Sequence, residues 1–371
     1  MLSPESAATM VPGARNTKDQ PILPYVRRAH FAGSWYDADP SELDKALSTY
    51  LDEAQQNTNS MSCTTEVLAS GRNSYTLDVS PSIRAIIAPH AGYRYSGPTA
   101  AYSYLALKEF FQEASLRFHD HENKKIESTK YITIVVLHPS HNCYLDGCAI
   151  SGASSFETPF STLNVDEKLR LELFNTGDFS IMDRHMDEAE HSGEMQYPYI
   201  AKMYQEYVSS LPSNQTNIIA EIRLLPIMVG AISTSKEEYF GTLLSPFLSR
   251  SSVCTIISSD FCHWGSRFRF SPMPTQPQQE IYEYIEWLDR LGMNYISLQQ
   301  PGAFATYLKQ YNNTICGRHP IGVWLHSITR KDQPPLEVTF VHYQQSSLVR
   351  ISQDTSVSYA AAIAKLCNQR K

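Results

Sequence analysis

The stretch YITIVVL at residues 131–137 decides the fold class. Every residue in it is apolar, aromatic or β-branched, which is typical of a strand that is covered on both faces. Working outward, RAIIA at residues 84–88 and VCTII at residues 253–257 have the same character. Strands covered on both faces occur in sheets whose connections are helices. We therefore predict an α/β protein, a three-layer sandwich with a mainly parallel or mixed central sheet.

Helical patterns alternate with these strands. Asp39 is predicted as the N-cap of a first helix, with Pro40 at its first position and Glu42 completing a capping pattern. Further helices are predicted at residues 99–111, 280–291 and 321–328, and further strands at residues 222–229 and 336–343. Pro226 favours an edge position or a bulge for the strand at residues 222–229, because proline cannot donate to a ladder.

Composition also predicts the domain organisation. Residues 1–25 are expected to be a flexible tail, and residues 26–371 a single α/β domain. Two polar stretches, near residues 55–80 and 118–129, are predicted surface insertions. Residues 271–278 are predicted to form a proline-rich loop.

Charge and cysteine content restrict the partners and the compartment. The net charge of -7 argues against nucleic acid as the main partner. No apolar run approaches the roughly 20 residues of a membrane span, and the first 25 residues lack a secretory apolar region. The seven cysteines form no CxxC pair, which indicates a reducing, intracellular compartment.

Four segments carry the chemistry, and each follows an apolar run or opens a helical one. They are APHAGY at residues 88–93, PSH at 139–141, SSDFCHW at 258–264 and CGRHP at 316–320. In open α/β sheets, ligands bind beyond the carboxyl ends of the strands. We therefore expect these four segments to share one pocket.

Each candidate residue has a structural alternative. His90 follows a strand, where a histidine is more often a satisfied polar group than a ligand. His141 is a better candidate than His138, because it lies further beyond its strand. Asp260 and His263 suit acid–base work or the orientation of a metal ligand, but the segment could equally cap a turn.

Cys316 precedes a predicted helix and lies beside Arg318 and His319, which should lower the pKa of its thiol and favour thiolate. The alternative is a buried, inert cysteine. Two histidines and one cysteine suit a mononuclear site for iron, copper or zinc and are too soft for magnesium or calcium. The string Glu190-His191-Ser192 specifies no metal site by itself, and a surface or interface role fits it equally.

The chain resembles the Memo family (mediator of ErbB-driven cell motility) from about residue 30 to residue 364. The strings that carry the resemblance are AGSWY at residues 32–36, AIIAPHAGY at 85–93, PSH at 139–141, EHS at 190–192, SSDFCHWG at 258–265, NTICGRHPIG at 313–322 and SVSYA at 356–360. The family's fold is similar to that of class III extradiol dioxygenases. The resemblance therefore implies a class III extradiol dioxygenase-like fold.

The resemblance also implies site residues. His90, His141 and Cys316 correspond to the family's metal-site residues, with iron or copper as the cofactor. Asp260 and His263 would line the same cleft, and Trp35 and Tyr93 would be pocket walls. Ring cleavage is not expected, because Cys316 stands where the dioxygenases supply a carboxylate ligand.

The family's biology gives further expectations. They are redox chemistry, binding of phosphotyrosine peptides or signalling proteins, a role in cell motility, and a cytoplasmic or nuclear location. Three departures from the family pattern stand at His138, Asn142 and Gln196, where glycine, histidine and histidine are usual. None of the three is a presumed ligand, but His138 and Asn142 could alter the choice of metal or the polarity of the pocket.

Three functions stay open at this point. The first is a metal-dependent redox protein, in which His263 transfers protons and Asp260 orients it. The second is a peptide- or phosphotyrosine-binding module that uses Trp35, Tyr93, Arg318 and His263. The third is a thiol hydrolase that pairs Cys316 with His263 or His319.

Overall fold

The computed structural model describes residues 24–62, 82–121, 131–211, 221–274 and 278–367. Most of the predicted tail and of the two predicted insertions therefore lies outside the described residues. Residues 55–62 and 118–121, which were assigned to the insertions, are helical. The division into a tail and one domain stays a prediction.

Twelve strands occur among the described residues, and they join in one sheet. They are β1 (Val26–Arg27), β2 (Ile83–Ala88), β3 (Tyr131–Pro139), β4 (Cys148–Ser151), β5 (Ser155–Glu157), β6 (Thr162–Val165), β7 (Phe179–Met182), β8 (Glu221–Val229), β9 (Val253–Ser258), β10 (His263–Trp264), β11 (Leu336–Gln345) and β12 (Ser356–Leu366). The central order β8-β3-β9-β2 is parallel, and β12 then pairs antiparallel with β2. Both β11 and β10 pair antiparallel with β12.

The helices form two groups around this sheet. They are α1 (Pro40–Ser62), α2 (Tyr93–His121), α3 (Glu167–Phe174), α4 (Arg184–Ala189), α5 (His191–Glu194), α6 (Tyr197–Ser209), α7 (Thr234–Leu248), α8 (Ile281–Ser297), α9 (Pro301–Tyr311) and α10 (Arg318–Ile328). Helix α2 packs on β2 and β12, and α1 and α6 pack on α2. Helices α7 and α10 pack on each other and on β9, so the three-layer α/β prediction is confirmed.

The apolar runs of the sequence form the centre of the sheet, as predicted. All residues of β2 and β9 are buried, and so is all of β3 except its first residue. These strands lie next to one another in the order β3-β9-β2. Their carboxyl ends therefore open at one edge of the sheet.

The prediction for Pro226 was wrong. Strand β8 is internal, with β3 along one side in unbroken register from Glu221 to Val229. On its other side, β6 pairs at residues 223–224 and β4 pairs at residues 227–229. Pro226 falls in the gap between these two short strands, so its missing N–H group leaves neither pairing incomplete.

Two helices begin earlier than predicted. Helix α2 begins at Tyr93 rather than residue 99, with Pro98 inside it. One internal proline removes a single backbone hydrogen bond, which the long buried face of this helix outweighs. Helix α10 begins at Arg318 rather than after Pro320, since proline is tolerated in a first helical turn. At α1 the prediction was right: Asp39 Oδ1 accepts hydrogen bonds from the N–H groups of Ser41 and Glu42.

Within the described part of the chain, no helix combines the length and the apolar character that a membrane span requires.

Candidate metal centre

Two strand ends and one loop bring the predicted metal ligands together. His90 follows β2, His141 follows β3, and Cys316 lies in the loop before α10. One donor atom from each of these residues lies within 4.8 Å of the other two. The expectation that segments distant in sequence share one site is therefore met for these three side chains.

Glycine 317 lets the Cys316 loop approach the sheet. A Cβ atom on Gly317 would lie 2.4 Å from Ser259 Cβ and 2.5 Å from the Ser258 carbonyl oxygen, which no side chain could occupy. The Gly317 N–H group donates to Ser259 Oγ at 3.1 Å. Close backbone packing thus places Cys316 Sγ 3.2 Å from the Asp260 N–H group.

The hydrogen bonds of His90 fix its tautomer. Its Nδ1 lies 2.8 Å from Ser258 Oγ. That hydroxyl donates to the Ser192 carbonyl and accepts from Gln196 Nε2, so it accepts the proton of His90 Nδ1. Nε2 of His90 is then an acceptor, 3.1 Å from Cys316 Sγ. Burial lowers the pKa of His90 well below its ordinary value, so the ring is a neutral ligand.

Glu190 holds His141. Its carboxylate accepts the His141 backbone N–H at 2.6 Å and lies 2.8 Å from Nδ1 of the ring. Burial opposes charge on both groups, but their hydrogen bonds prevail: the bonds of His141 to Cys316 and to Glu190 raise its pKa to about 10, and the bond to His141 lowers the pKa of Glu190. Nδ1 therefore carries a proton that Glu190 accepts, and at neutral pH the raised pKa keeps a second proton on Nε2 beside Cys316, which a bound metal ion would displace.

These observations fit a transition metal. A histidine that binds a metal through one nitrogen usually donates from the other to a carboxylate or another oxygen. His141 does so to Glu190 and His90 does so to Ser258. Two imidazoles and one thiol, with their donor atoms converging, suit iron, copper or zinc.

His191 and Glu190 are site residues that the sequence-based interpretation missed. The expected surface or interface role is corrected, because Glu190 is only 2% exposed. The ring of His191 lies 4.5 Å from that of His141 and 5.5 Å from that of His90. His141, Glu190 and His191 form a second set of converging donors. Burial and the neighbouring histidines lower the pKa of His191 to about 4, although Glu190 opposes this.

The expected activation of Cys316 is also corrected. Burial is the largest influence on its thiol and raises the pKa. Arg318 donates to the Ile315 carbonyl at 3.3 Å, and His319 pairs with Glu237 at 2.7 Å. Arg318 and His319 therefore have partners other than the sulfur, and the thiol-hydrolase hypothesis loses His319 as a partner.

Asp260 does not orient His263, contrary to expectation. Asp260 Oδ1 accepts the His90 backbone N–H at 2.8 Å, and burial raises the pKa of this carboxyl to about 7. Nδ1 of His263 faces the carbonyls of Phe261 and Thr314 at 2.9 and 3.1 Å, so it carries the proton. Nε2 of His263 is therefore free to accept one, and burial lowers the pKa of the ring to about 4.

A cleft of about 730 Å³ is lined by Trp35, Tyr93, Arg94 and Arg267, and by none of His90, His141, His191, His263 and Cys316. Trp35 lines it and contacts His191, with 4.4 Å between ring centres. Tyr93 also lines it, but its hydroxyl donates to the Met195 carbonyl at 2.6 Å. The guanidinium groups at this cleft belong to Arg94 and Arg267 rather than to Arg318.

Two of the three residues that depart from the family pattern contact side chains that orient the candidate ligands. Gln196 donates to Ser258 Oγ at 2.9 Å, and Ser258 orients His90. His138 lies 3.1 Å from Ser192 Oγ, which in turn donates to Glu190. Asn142 donates to the Ala189 carbonyl at 2.6 Å and ties the loop that carries His141 to the end of α4.

Comparison with known proteins identifies the family. The family model described as "Memo-like protein" matches residues 27–363. Protein MEMO1 of Mus musculus is 39% identical over 337 residues, covering 90% of this chain and 96% of the mouse protein. Protein memo-1 homolog of Caenorhabditis elegans is 36% identical over 342 residues, covering 91% and 82% of the two chains.

One solved structure, of an uncharacterized protein from Escherichia coli K12, aligns with a TM-score of 0.35 and 12% identity over 66% of this chain and 91% of that chain. We draw no conclusion from so low a similarity, and the dioxygenase-like character of the fold stays an expectation. The residues matched by the family model include His90, His141 and Cys316, and each of the two animal relatives covers at least 90% of this chain. The chain belongs to the Memo family.

Proposed function

We propose that this protein binds one iron or copper ion through His90, His141 and Cys316 and uses it in redox chemistry. The convergence of these three donor atoms within 4.8 Å is the observation that supports the proposal. Iron or copper, when bound, supplies one-electron oxidation and reduction. Two imidazoles and a thiolate leave positions on such an ion for a small substrate.

The remaining residues have roles that follow from their contacts. Glu190 and Ser258 orient the two ligand histidines. His263 is neutral near pH 7, and its free Nε2 can accept a proton. Trp35 packs against the ring of His191, with 4.4 Å between ring centres. Asp260 fixes the His90 backbone and so acts as a positioning residue.

Metal content of anaerobically purified protein tests this proposal. We expect near-stoichiometric iron or copper in the wild type, and loss of it in His90→Ala, His141→Ala and Cys316→Ala. Cys367→Ser is the matched control, because Cys367 is an exposed cysteine far along the chain from the site. A wild-type protein that binds neither added iron nor added copper would rule the proposal out. Oxygen consumption with a reductant, present in the wild type and absent in the three variants, tests the redox part.

The cleft favours a second candidate, a peptide-binding module for phosphotyrosine. Trp35 offers an aromatic face, and Arg94 and Arg267 are both exposed at the same cleft, where they suit a phosphate group. Arg318, which was the sequence-based choice, has a backbone partner instead. The signalling, motility and location expectations taken from the family remain predictions that depend on such a partner.

Peptide binding can be separated from metal binding. Affinity for a phosphotyrosine peptide should persist in metal-free protein, fall at least about tenfold in Arg267→Ala, and change little in Arg318→Ala, since losing one charge-assisted contact costs about 1.5–3 kcal/mol. Equal affinity of the phosphorylated and unphosphorylated peptides would count against this candidate.

A further inference from the structure

Sulfur atoms gather at a second place, which the proposed function does not use. Cys143 Sγ lies 3.9 Å from Met228 Sδ. Cys143 lies in the loop after β3, and Met228 lies on β8, so residues 85 positions apart in sequence bring the two sulfurs together. Met182, at the end of β7, and Met186, on α4, pack in the same cluster.

The spacing of the two sulfurs is suitable for sharing one ion. Two sulfurs bonded to one ion at about 2.3 Å, with an angle near 120° between the bonds, are about 4 Å apart. The 3.9 Å between Cys143 and Met228 therefore matches trigonal coordination. Ser140 Oγ lies 3.1 Å from Cys143 Sγ and donates its own proton to the Cys143 carbonyl at 2.7 Å, so it can accept the thiol proton of the metal-free protein.

The chemistry of the cluster selects the kind of ion. Thiolate and thioether are soft ligands, which favour monovalent copper over iron, magnesium or calcium. Leu145 and Ala149 are buried beside the methionine sulfurs, whereas Ser140 contacts Cys143 and the charges of Glu190 and Asp183 act on its thiol. Such surroundings suit an ion of single charge whose charge one thiolate neutralises.

Ordinary packing explains part of this cluster, because methionine often fills gaps in apolar cores. It does not explain the position of the thiol. Met182 and Met228 are buried at 1% and 0% exposure, whereas Cys143 is only half-buried and reachable from solvent. A reachable thiol in front of buried thioethers is the arrangement by which an ion can enter and then be enclosed.

We propose that Cys143 and Met228, with Met182 or Met186 as a third sulfur donor, bind one Cu(I) ion at a site separate from His90, His141 and Cys316. Binding replaces the thiol proton of Cys143, so one proton is released for each ion bound and no electron is transferred. The two sites have no donor atom in common. The inference therefore does not rest on the proposed function.

Cu(I) titration under nitrogen, in competition with a chromophoric chelator, tests the site. All proteins carry Cys367→Ser, which removes an exposed thiol. In a Cys316→Ala background we expect one tight Cu(I) equivalent, and we expect Cys143→Ser to abolish it. Met228→Leu conserves the volume of the buried side chain and should weaken Cu(I) binding. X-ray absorption of the loaded Cys316→Ala protein should give sulfur-only coordination near 2.3 Å.

The outcomes separate the two sites. Loss of Cu(I) with Cys143→Ser but not with Cys316→Ala supports the second site, whether or not the first site holds a metal. Unchanged Cu(I) stoichiometry and affinity in both Cys143→Ser and Met228→Leu would overturn the inference. Nitrogen-dominated absorption spectra in the Cys316→Ala protein would overturn it as well, because they would place the ion on histidines.

Discussion

At the scale of single residues, hydrogen-bond partners set the tautomers of the proposed ligands. His90 and His141 could each present either ring nitrogen, and the choice depends on Ser258 and Glu190. Both partners direct Nε2 into the site. Neither role is visible from residue type alone, because serine and glutamate are common at turns and on surfaces.

Replacing Glu190 with glutamine is the sharpest residue-level test. Glutamine keeps the size of the side chain and removes the charge that holds His141. We expect metal affinity to fall about 10- to 100-fold, as is usual when a partner of a metal-binding histidine is changed. Competition titration with a chelator measures this. Glu188→Gln, at a partly exposed position nearby, is the control and should leave affinity unchanged. Equal affinities in the two variants would contradict the role given to Glu190.

Acid should destabilise the metal-free protein. Burial lowers the pKa of His191 and of His263 from 6.5 to about 4. Between these values the unfolded chain binds protons that the folded protein does not, so stability falls as pH falls from 6.5 to about 4. Each histidine contributes at most about 3 kcal/mol to this loss.

Urea unfolding at several pH values checks the acid effect. His191→Phe keeps an aromatic ring against Trp35 and cannot titrate. Its urea midpoint should therefore fall less steeply below pH 6.5 than that of the wild type. Parallel curves for the two proteins would show that His191 is not a source of the acid sensitivity.

At the scale of elements, strand ends and one tight loop build the site. Strands β3, β9 and β2 are neighbours, so the residues that follow them emerge side by side. Cys316 comes from a loop rather than from a strand end. It reaches the other residues because Gly317 packs closely against Ser258 and Ser259.

Gly317→Ala should therefore push the loop away from β9. The added Cβ would lie 2.4 Å from Ser259 Cβ, and overpacking of this kind costs about 1–3 kcal/mol. We expect a lower urea midpoint, weaker metal binding and faster alkylation of Cys316. Gly302→Ala is the control, because a Cβ there meets nothing within 4 Å and alanine favours helix α9. Similar losses in both variants would refute the close-packing argument.

At the scale of the whole molecule, a buried ionic network joins the amino-terminal segment to the site. Arg27 is 1% exposed and binds the carboxylates of Asp187 and Glu194. Glu194 also accepts hydrogen bonds from the Phe31 N–H group and the Tyr36 hydroxyl. The network thereby fixes the segment whose Trp35 packs on His191.

Arg27→Met should be strongly destabilising. It leaves two buried carboxylates without their cation, and breaking a buried pair from one side costs about 3–5 kcal/mol. Arg290→Ala removes an exposed helical pair with Glu286 and should change the unfolding free energy by less than about 1 kcal/mol. Urea denaturation of both variants against wild type measures the difference. A loss in Arg27→Met no larger than that in Arg290→Ala would contradict the importance of the network.

The sequence by itself determined the α/β class and the central strands, and its resemblance to a known family predicted His90, His141 and Cys316 as metal ligands. Continuous apolar runs specify strands that are buried on both faces, and short chemical segments after such runs indicate the edge where ligands bind. These signals are local, since a run of seven residues contains its own pattern. The sequence strings that resemble the Memo family supplied the correspondence of His90, His141 and Cys316 to the family's metal-site residues.

Only the tertiary structure decided which groups meet. It paired Glu190 with His141, brought His191 close to His141, gave Arg318 and His319 partners other than Cys316, and placed Pro226 opposite a gap between two strands. The physical reason is that a residue's type and spacing fix what it can do. Its distance from groups far along the chain depends on how whole elements and their loops pack.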